Sequence, residues 1–200
     1  MRWMPGVVWI SVLLWMGMWA VADPGPYEQR LMQALGFMQQ ESWQQAMEAV
    51  GELDKKAPLT PELARLWFVR GTLAHKLQDP DTARQAFERV WQGYPPLADY
   101  AAWEMVQYDA ARDLLLTLQK TVMTLAERYP SSRLLPESRL VLARTQHRLG
   151  QSAPARAALE RLVRDTPAPA IHAEAMAFLG QVYEDRGELD LAAQILQRLG

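Results

Sequence analysis

The segment ERVWQGYP, residues 88–95, ends a helical pattern on a Tyr-Pro pair, and TLAERYP, residues 124–130, ends another on the same pair. Proline has no amide hydrogen to donate and restricts the residue before it to extended conformations, so each pair predicts the end of a helix. Proline recurs at Pro58 and Pro167, and the four stops, at 58, 95, 130 and 167, are 37, 35 and 37 residues apart. This spacing predicts a repeat.

The residues between these stops keep the same phase in every copy. Twelve residues before each proline, and once more a period later, stand Ala46, Ala83, Leu118, Ala155 and Ala192. Four residues further along the chain stand Val50, Phe87, Val122, Leu159 and Leu196. Residues four apart share one face of a helix, so the second helix of each unit is predicted to bury the same apolar stripe.

The first half of each unit also has helical spacing, with a small residue where a partner helix would cross closely: Gly71, Ala143 and Gly180. Gly150 and Gly187 predict left-handed turn residues after a helix end. Thr60-Pro61 and Asp79-Pro80 predict an N-cap followed by proline in the first turn. Ser42 and Gln45 have the spacing of a capping box.

Paired antiparallel helices in units of this length cannot bury their apolar faces alone and must stack. The predicted fold is therefore all-α, a right-handed superhelical solenoid of about five helix-turn-helix repeats. Its period resembles the tetratricopeptide repeat, a resemblance that covers about residues 27–200. The matching residues are Trp67, Gly71, Ala83, Phe87 and Pro95 in one unit and Leu179, Gly180, Tyr183, Gly187 and Ala192 in another.

The predicted units lie near 27–58, 59–95, 96–130, 131–167 and 168–200. The third unit departs from the pattern, because QYDAARDLLL, residues 107–116, lacks the turn glycine and Leu118 occupies the alanine position. The sequence therefore leaves the boundary between its two helices open.

The first 22 residues differ from the rest. One arginine precedes an uncharged apolar run from Val7 to Ala22, and Ala20 and Ala22 form the small-x-small pattern of a signal-peptidase site. We expect residues 1–22 to be a signal peptide and residues 23–200 to be an exported, periplasmic repeat domain. The alternative is an uncleaved segment that anchors the chain in the inner membrane.

Composition narrows the classes of function. The chain has 200 residues, of which 22% are charged, and a formal net charge of −2, which argues against a nucleic-acid partner. It contains no cysteine, which excludes disulfides, thiolate metal sites, cysteine nucleophiles and a lipidated cysteine. We expect contact with a membrane only through the N-terminal segment.

A second resemblance rests on GYPPLADYAAWEMV, residues 93–106, and AERYPSSRLLPESRLVLA, residues 126–143. Together they look like the N-terminal superhelical region of soluble lytic transglycosylases, exported enzymes that cleave peptidoglycan glycan strands. In that family the catalytic glutamate, followed by serine, lies in a separate C-terminal lysozyme-like domain. Glu41-Ser42 has this pair of residues but not the glycine-rich segment that should follow, so Ser42 is interpreted as a helix cap.

No other motif predicts catalysis, a metal site or a cofactor. Glu184, Asp185, Glu188 and Asp190 surround Gly187 without the ligand spacing of a calcium loop and are interpreted as a solvated turn. The three histidines, His75, His147 and His172, have no second ligand nearby in sequence. We therefore expect the chain itself to be catalytically inert and to function by binding.

Solenoids bind through the face lined by the first helix of each unit. The helical projection predicts a groove for a protein or peptide partner, or for peptidoglycan glycan strands, lined by Arg65, Phe68, His75, Tyr100, Trp103, Gln107, Arg144 and His147. The same projection places Leu140 on this face, one turn before Arg144. The alternative is that Phe68, Tyr100 and Trp103 pack between helices.

The last unit would reach its boundary proline near position 204, beyond Gly200. Terminal repeats normally carry a polar capping helix, so Ile195, Leu196 and Leu199 are expected at an open end. Either the chain is the front part of a longer protein, which we expect, or another subunit covers this end. The sequence thus predicts the noncatalytic part of a lytic transglycosylase or, alternatively, a stand-alone adaptor in envelope assembly.

Overall fold

A computed structural model describes residues 25–165 and 169–198, so the predicted signal peptide lies outside the described residues. These residues form ten α-helices and no strand: α1 Pro26–Gln39, α2 Trp43–Val50, α3 Pro61–Lys76, α4 Pro80–Gly93, α5 Pro95–Ala111, α6 Leu115–Arg128, α7 Leu135–Arg148, α8 Ser152–Asp165, α9 Pro169–Asp185 and α10 Leu189–Gln197. In the described part of the chain, no helix is both long enough and apolar enough to cross a bilayer. The all-helical prediction is confirmed.

The described residues divide into two compact units, the first ending at Ala98 and the second beginning at Asp99. In the first unit, α1 pairs with α2 and α3 pairs with α4, while α3 also packs against α1 and α2. Helix α3 is buried on most of its surface, through residues that include Leu63, Leu66 and Leu73. It is the central element of this unit.

In the second unit, α7 pairs with α8 and α9 pairs with α10, and α9 also packs against α8 and α7. One core cluster joins Leu140 of α7, Leu159 of α8, Leu179 of α9 and Ile195 of α10. A smaller cluster joins α5 and α6 through Val106, Ala110, Leu118 and Val122, with Val141 and Leu142 of α7 packed against it.

The apolar stripe predicted from the repeat is almost entirely buried. The five residues at the alanine position are each at most 2% exposed: Ala46, Ala83, Leu118, Ala155 and Ala192. Four residues on, Val50, Phe87, Val122 and Leu159 are at most 4% exposed, but Leu196 is 40% exposed. Leu196 therefore departs from the buried stripe and is exposed, as expected of an open end, whereas the open-end expectation is wrong for Ile195, which is 8% exposed and belongs to the core.

All five turns between paired helices use the same backbone conformation. A residue with positive φ occurs at the same point of each turn: Glu41 (55°), Gln78 (59°), Asp113 (56°), Gly150 (78°) and Gly187 (74°). The amide of the next residue donates to a carbonyl five residues earlier, as from Asp79 to Ala74 and from Gln151 to Gln146. This is the Schellman arrangement of a helix C-terminus.

The predictions for Gly150 and Gly187 are confirmed, and the conformation also settles the third unit. Helix α5 runs to Ala111, Asp113 takes the left-handed position in place of glycine, and α6 begins at Leu115. Asparagine and aspartate tolerate this region better than most residues. The departure in sequence therefore leaves the turn geometry unchanged.

Two of the three predicted N-caps are confirmed. The Thr60 hydroxyl accepts a hydrogen bond from the amide of Leu63 at 3.3 Å, and a carboxylate oxygen of Asp79 accepts one from the amide of Thr82 at 3.1 Å. Ser42 occupies the N-cap position of α2, but its side chain accepts no capping bond. Its hydroxyl donates instead to the carbonyl of Gln40 at 3.5 Å, so the capping-box prediction is wrong.

Helices end just before two of the predicted stop prolines and well before a third. Helix α4 ends at Gly93 before Pro95 opens α5, and α6 ends at Arg128 before Pro130, whereas α2 ends at Val50, well before Pro58. Pro167 lies outside the described residues. Between α2 and α3, three arginines donate hydrogen bonds to main-chain carbonyls. Arg30 donates to Val50 and Glu52, Arg70 to Gly51, and Arg89 to Ala57.

Candidate functional site

Three of the predicted groove residues belong to α3 in the first unit. Phe68 is 4% exposed, and its ring meets that of Phe87 edge to face, with 5.3 Å between the centroids. Phe68 is therefore a core side chain, which corrects its assignment to the groove: the aromatic edge-to-face pair buries it between α3 and α4. His75 is exposed, while Arg65 is half-buried and donates to the carbonyl of Pro61 at 3.2 Å.

The other predicted residues belong to the second unit, where α5 and α7 enclose a surface hollow of about 290 Å³. We call this hollow the second-unit groove. Two predicted residues, Gln107 and Arg144, line it. The full lining is Gln107, Ala110 and Ala111 of α5 with Val141, Arg144, Thr145 and Arg148 of α7.

Arg148 borders the groove and was not among the predicted residues. Its guanidinium donates to the carbonyl of Ala110 at 2.6 Å and pairs with the carboxylate of Asp113 at 2.6 Å. The side chain of Arg148 remains 54% exposed. These contacts join the end of α5 to the end of α7 and keep the positively charged guanidinium of Arg148 at the border of the groove.

Arg144 is held by a different pair of contacts. It forms a 2.7 Å ion pair with Glu174 of α9, and its guanidinium carbon lies 5.5 Å from the centroid of the Phe178 ring. Both members of the ion pair are nearly half exposed. An exposed pair of this kind contributes little to stability, so the guanidinium can exchange Glu174 for another acceptor at small cost.

His147, a predicted groove residue, links three helices and is absent from the groove lining. Its Nε2 lies 2.8 Å from a carboxylate oxygen of Asp185 on α9, and its Nδ1 lies 3.3 Å from the hydroxyl of Ser152 on α8. The imidazole also meets the ring of Phe178 edge to face at 5.5 Å. His147 and Asp185 are 38 residues apart in sequence, so local spacing does not reveal this cluster.

The same three residue types form hydrolase triads, but the arrangement here does not match that chemistry. In the serine protease triad the carboxylate binds Nδ1 of the histidine and the serine binds Nε2. Here the two are exchanged, with Asp185 at Nε2 and Ser152 at Nδ1, and Asp185 is half exposed. Pro154, two residues after Ser152, provides no amide hydrogen. The cluster is a structural link between α7, α8 and α9.

The two predicted aromatic residues on α5 contribute only partly exposed surface. Tyr100 is half-buried, and Trp103 is half-buried and packs against the Val106, Ala110, Leu118 and Val122 cluster. Asp99, next to Tyr100, accepts a 2.8 Å hydrogen bond from the Ser132 hydroxyl. Trp103 thus serves the core as well as the surface near the groove.

Two carboxylates in the second unit have shifted pKa values. Burial, and then the negative charge of Glu174, raise the pKa of Glu137 on α7 above its ordinary value. The hydrogen bond from Arg186, supported by Arg156, lowers the pKa of Glu188. Glu188 thus belongs to an ion-pair network with Arg156 and Arg186, and not to a cation site.

Asp185 in the same acidic turn is likewise engaged with a protein group. Asp185 pairs with His147, and no three His, Asp or Glu side chains are placed to share a metal ion within residues 25–165 and 169–198. Arg144, Arg148 and Gln107 present hydrogen-bond donors at the second-unit groove.

A sequence family and several solved structures are similar to this chain. A sequence model described as the tetratricopeptide repeat matches residues 31–98 and 140–199. Crystal structures of a putative kinesin light chain from Podosopora anserina with nearly identical TPR-like repeats, and of a single-residue variant of it, align with a TM-score of 0.61 at 15% and 16% identity. Each alignment covers 90% of this chain and 95% of the other. No curated protein matches the sequence.

Proposed function

Because the chain belongs to the tetratricopeptide repeat family, whose repeats bind protein partners, we propose that it is a noncatalytic scaffold that binds another protein through the second-unit groove. The observation that supports this most strongly is the pair of half-exposed arginines beside the hollow. Arg144 and Arg148 each pair with a carboxylate, and Gln107 on α5 lines the same hollow.

The chemistry of these side chains fits a polypeptide partner. Guanidinium groups donate to carbonyl and carboxylate oxygens in a fixed planar geometry, and the glutamine amide can both donate to and accept from a peptide backbone. The lining between them is apolar, through Ala110, Ala111 and Val141. A groove with an apolar floor and a few fixed polar groups suits one chain segment.

Site-specific cross-linking tests the groove. A photoreactive phenylalanine analogue replaces Gln107 in one variant and Gln194, an exposed residue of α10 in the same unit, in the control. We expect a discrete protein adduct from Gln107, its loss in the Arg144→Ala, Arg148→Ala double variant, and none from Gln194. Equal adducts from both positions would contradict a specific groove.

We also propose that the scaffold acts in the cell envelope after export. The support is the apolar N-terminal run followed by the small-x-small pattern at Ala20 and Ala22. Fusion of residues 1–30 to a phosphatase that is active only when exported should give active enzyme, and N-terminal sequencing should find Asp23 first. An active fusion that keeps residues 1–22 would favour the anchored alternative, and an inactive one would contradict export.

A second candidate role within the envelope is the noncatalytic part of a peptidoglycan lytic transglycosylase. It is supported by the resemblance carried by residues 93–106 and 126–143. Purified protein should then bind insoluble peptidoglycan sacculi saturably without cleaving glycan on a zymogram, and the coding sequence downstream should contain a Glu-Ser motif in a lysozyme-like domain. Absence of sacculus binding would leave the stand-alone adaptor as the role.

A further inference from the structure

Helix α10 exposes three leucines within its nine residues. Leu189 is 65% exposed, and Leu191 and Leu196 are each 40% exposed. The buried side of the helix consists of other residues, Ala192 and Ile195, which belong to the core cluster of the second unit. The helix therefore carries apolar surface in addition to the side that packs into the core.

Comparison with α8, one period of 37 residues earlier, shows that part of this apolar surface is specific to α10. Where α8 has Ser152, α10 has Leu189, and where α8 has Arg156, α10 has Ala193. Two polar positions of the repeat have thus become apolar in α10 although both remain exposed to solvent. Adjoining exposed apolar residues of this kind are typical of a surface that another chain covers.

The corresponding side of α8 is covered within this chain. Leu159 of α8, which corresponds to Leu196, is buried in the core cluster that also contains Leu179 of α9. On α10 the equivalent side chain rests on Gly180 of α9 but keeps 40% of its surface exposed. The side of a helix that receives a neighbouring helix elsewhere in the repeat is therefore open on α10.

Five exposed residues of α10 are arranged symmetrically about Ala193. Leu189 and Leu196 lie on one side of it, four residues before and three after, while Asp190 and Gln197 lie on the other side, three before and four after. We call these five residues the α10 surface. A second α10 that crosses antiparallel at Ala193 places Leu189 against Leu196 of the other copy and Asp190 against Gln197 of the other copy.

We propose that two copies of this chain associate through the α10 surface, with the two helices antiparallel around a twofold axis at Ala193. Leu189 of each copy packs against Leu196 of the other, and the Gln197 amide of each copy donates to the Asp190 carboxylate of the other. The small side chain of Ala193 lets the helices approach closely at the axis. The contact uses the same surface on both copies, so the assembly closes as a dimer.

The dimer is a weak one. Each copy contributes one nine-residue helix, and interfaces smaller than about 1,200 Å² belong to transient complexes. We expect a dissociation constant on the order of 100 µM. Association also brings two second-unit grooves into one assembly, a consequence that rests on the proposed function, whereas the association itself does not.

Disulfide cross-linking tests the axis, because the chain contains no cysteine of its own. Full-length Ala193→Cys protein, oxidised with copper phenanthroline, should form a disulfide-linked dimer on a non-reducing gel. Gln194→Cys is the matched control, because residue 194 is exposed on the same helix but rotated about 100° from Ala193. We expect Ala193→Cys to cross-link about tenfold faster, since only its thiols come within the short distance that a disulfide requires.

A mixture of two single variants tests the direction of the helices. Leu189→Cys and Leu196→Cys proteins, one of them carrying a size tag, are oxidised together. The antiparallel arrangement gives mainly the mixed dimer, in which residue 189 is linked to residue 196. A Leu189→Cys homodimer as the main product would indicate parallel helices and contradict the proposal.

Substitutions in the Ala193→Cys protein test the apolar contact. Leu189→Gln should slow cross-linking about tenfold, because it removes a leucine from each half of the interface. Leu116→Gln is the control, because Leu116 is 82% exposed on α6 and lies outside the α10 surface. Both replacements are at exposed positions, so the fold is expected to persist.

Two results would overturn the proposal. Equal cross-linking of Ala193→Cys and Gln194→Cys would show association through some other part of the chain. No cross-linking of Ala193→Cys at concentrations up to about 500 µM would assign the α10 surface to a different chain. Loss of partner binding at the second-unit groove would leave all of these cross-links unchanged.

Discussion

A β-carbon placed on Gly71 would lie 2.8 Å from the ring of Phe87, so α3 and α4 cross with no room for a side chain at this position. Phe87 is itself 3% exposed and packs edge to face on Phe68. The ring therefore cannot move aside without disturbing a second buried aromatic side chain. The small residue predicted at this crossing has a direct steric reason.

Gly71→Ala should lower the free energy of unfolding by about 1–3 kcal/mol, the usual cost of overpacking a core. The matched control is Gly36→Ala in α1, where an added β-carbon meets nothing within 4 Å. That change should be neutral or raise stability by about 0.5–1 kcal/mol, since alanine favours helix over glycine. Urea denaturation followed by circular dichroism measures both, and a Gly71→Ala protein as stable as the parent would contradict the close crossing.

The left-handed turn residues predict stabilising changes to glycine. Gln78→Gly should raise the free energy of unfolding by about 1 kcal/mol, because glycine adopts a φ of 59° without the steric cost that glutamine bears. Gly150→Ala should lower it by a similar amount. Gln40, which has a φ of −90°, gives the control: Gln40→Gly should bring no gain. If Gln40→Gly gained as much stability as Gln78→Gly, strain at the turn residue would not be the cause.

The cap of α4 should make stability depend on pH. Hydrogen bonds from Thr82 lower the pKa of Asp79 below its ordinary value of 3.8, so the carboxylate stabilises the fold above that value and loses this effect as pH falls through the folded-state pKa. Asp79→Ala should cost about 1 kcal/mol at neutral pH, and the difference from the parent should shrink below pH 3.8.

Asp79→Asn is the control for this cap, because an amide oxygen can still accept from the amide of Thr82. It should retain most of the stability at neutral pH. Thermal melts of the three proteins from neutral to acidic pH measure the differences. A constant difference between Asp79→Ala and the parent across that range would refute the role of the charged carboxylate.

Glu137 predicts the opposite pH dependence. Burial and Glu174 raise its pKa above the ordinary 4.5, so its charged form destabilises the folded state, and the relative stability it gives at low pH is lost as pH rises through the folded-state pKa. Glu137→Gln should therefore be more stable than the parent at neutral pH, with the advantage fading below pH 4.5, as measured by thermal melts. Glu127→Gln, at an exposed position on α6, should show no such gain.

The sequence was a good guide to the scaffold and a partial guide to the site. The projection onto α7 included Leu140, Arg144 and His147, whereas the groove uses Val141, Arg144, Thr145 and Arg148. Leu140 is buried at 2% exposure, which shows that the projected face was rotated toward the core. Arg148 lies four residues after Arg144 and so shares its face of α7. The helical projection could therefore have included Arg148.

Other features could not be read from local pattern. Glu41, Gln78 and Asp113 take the turn conformation that the sequence predicted only for Gly150 and Gly187. The backbone geometry there is imposed by the pairing of the two helices on either side, and that packing offsets the steric cost of a side chain at positive φ. Residue type alone therefore underestimates how regular the turns are.

The sequence by itself determined the period, the helical class and the buried small residues such as Ala83 and Ala155, because these depend on spacing within a few turns of one helix. Tertiary structure alone decided which polar groups meet. Arg148 reaches the carbonyl of Ala110, 38 residues away, and the indole N–H of Trp67 is left without an acceptor beside Arg89. Such contacts depend on distances of a few ångströms between separate helices, which residue spacing does not fix.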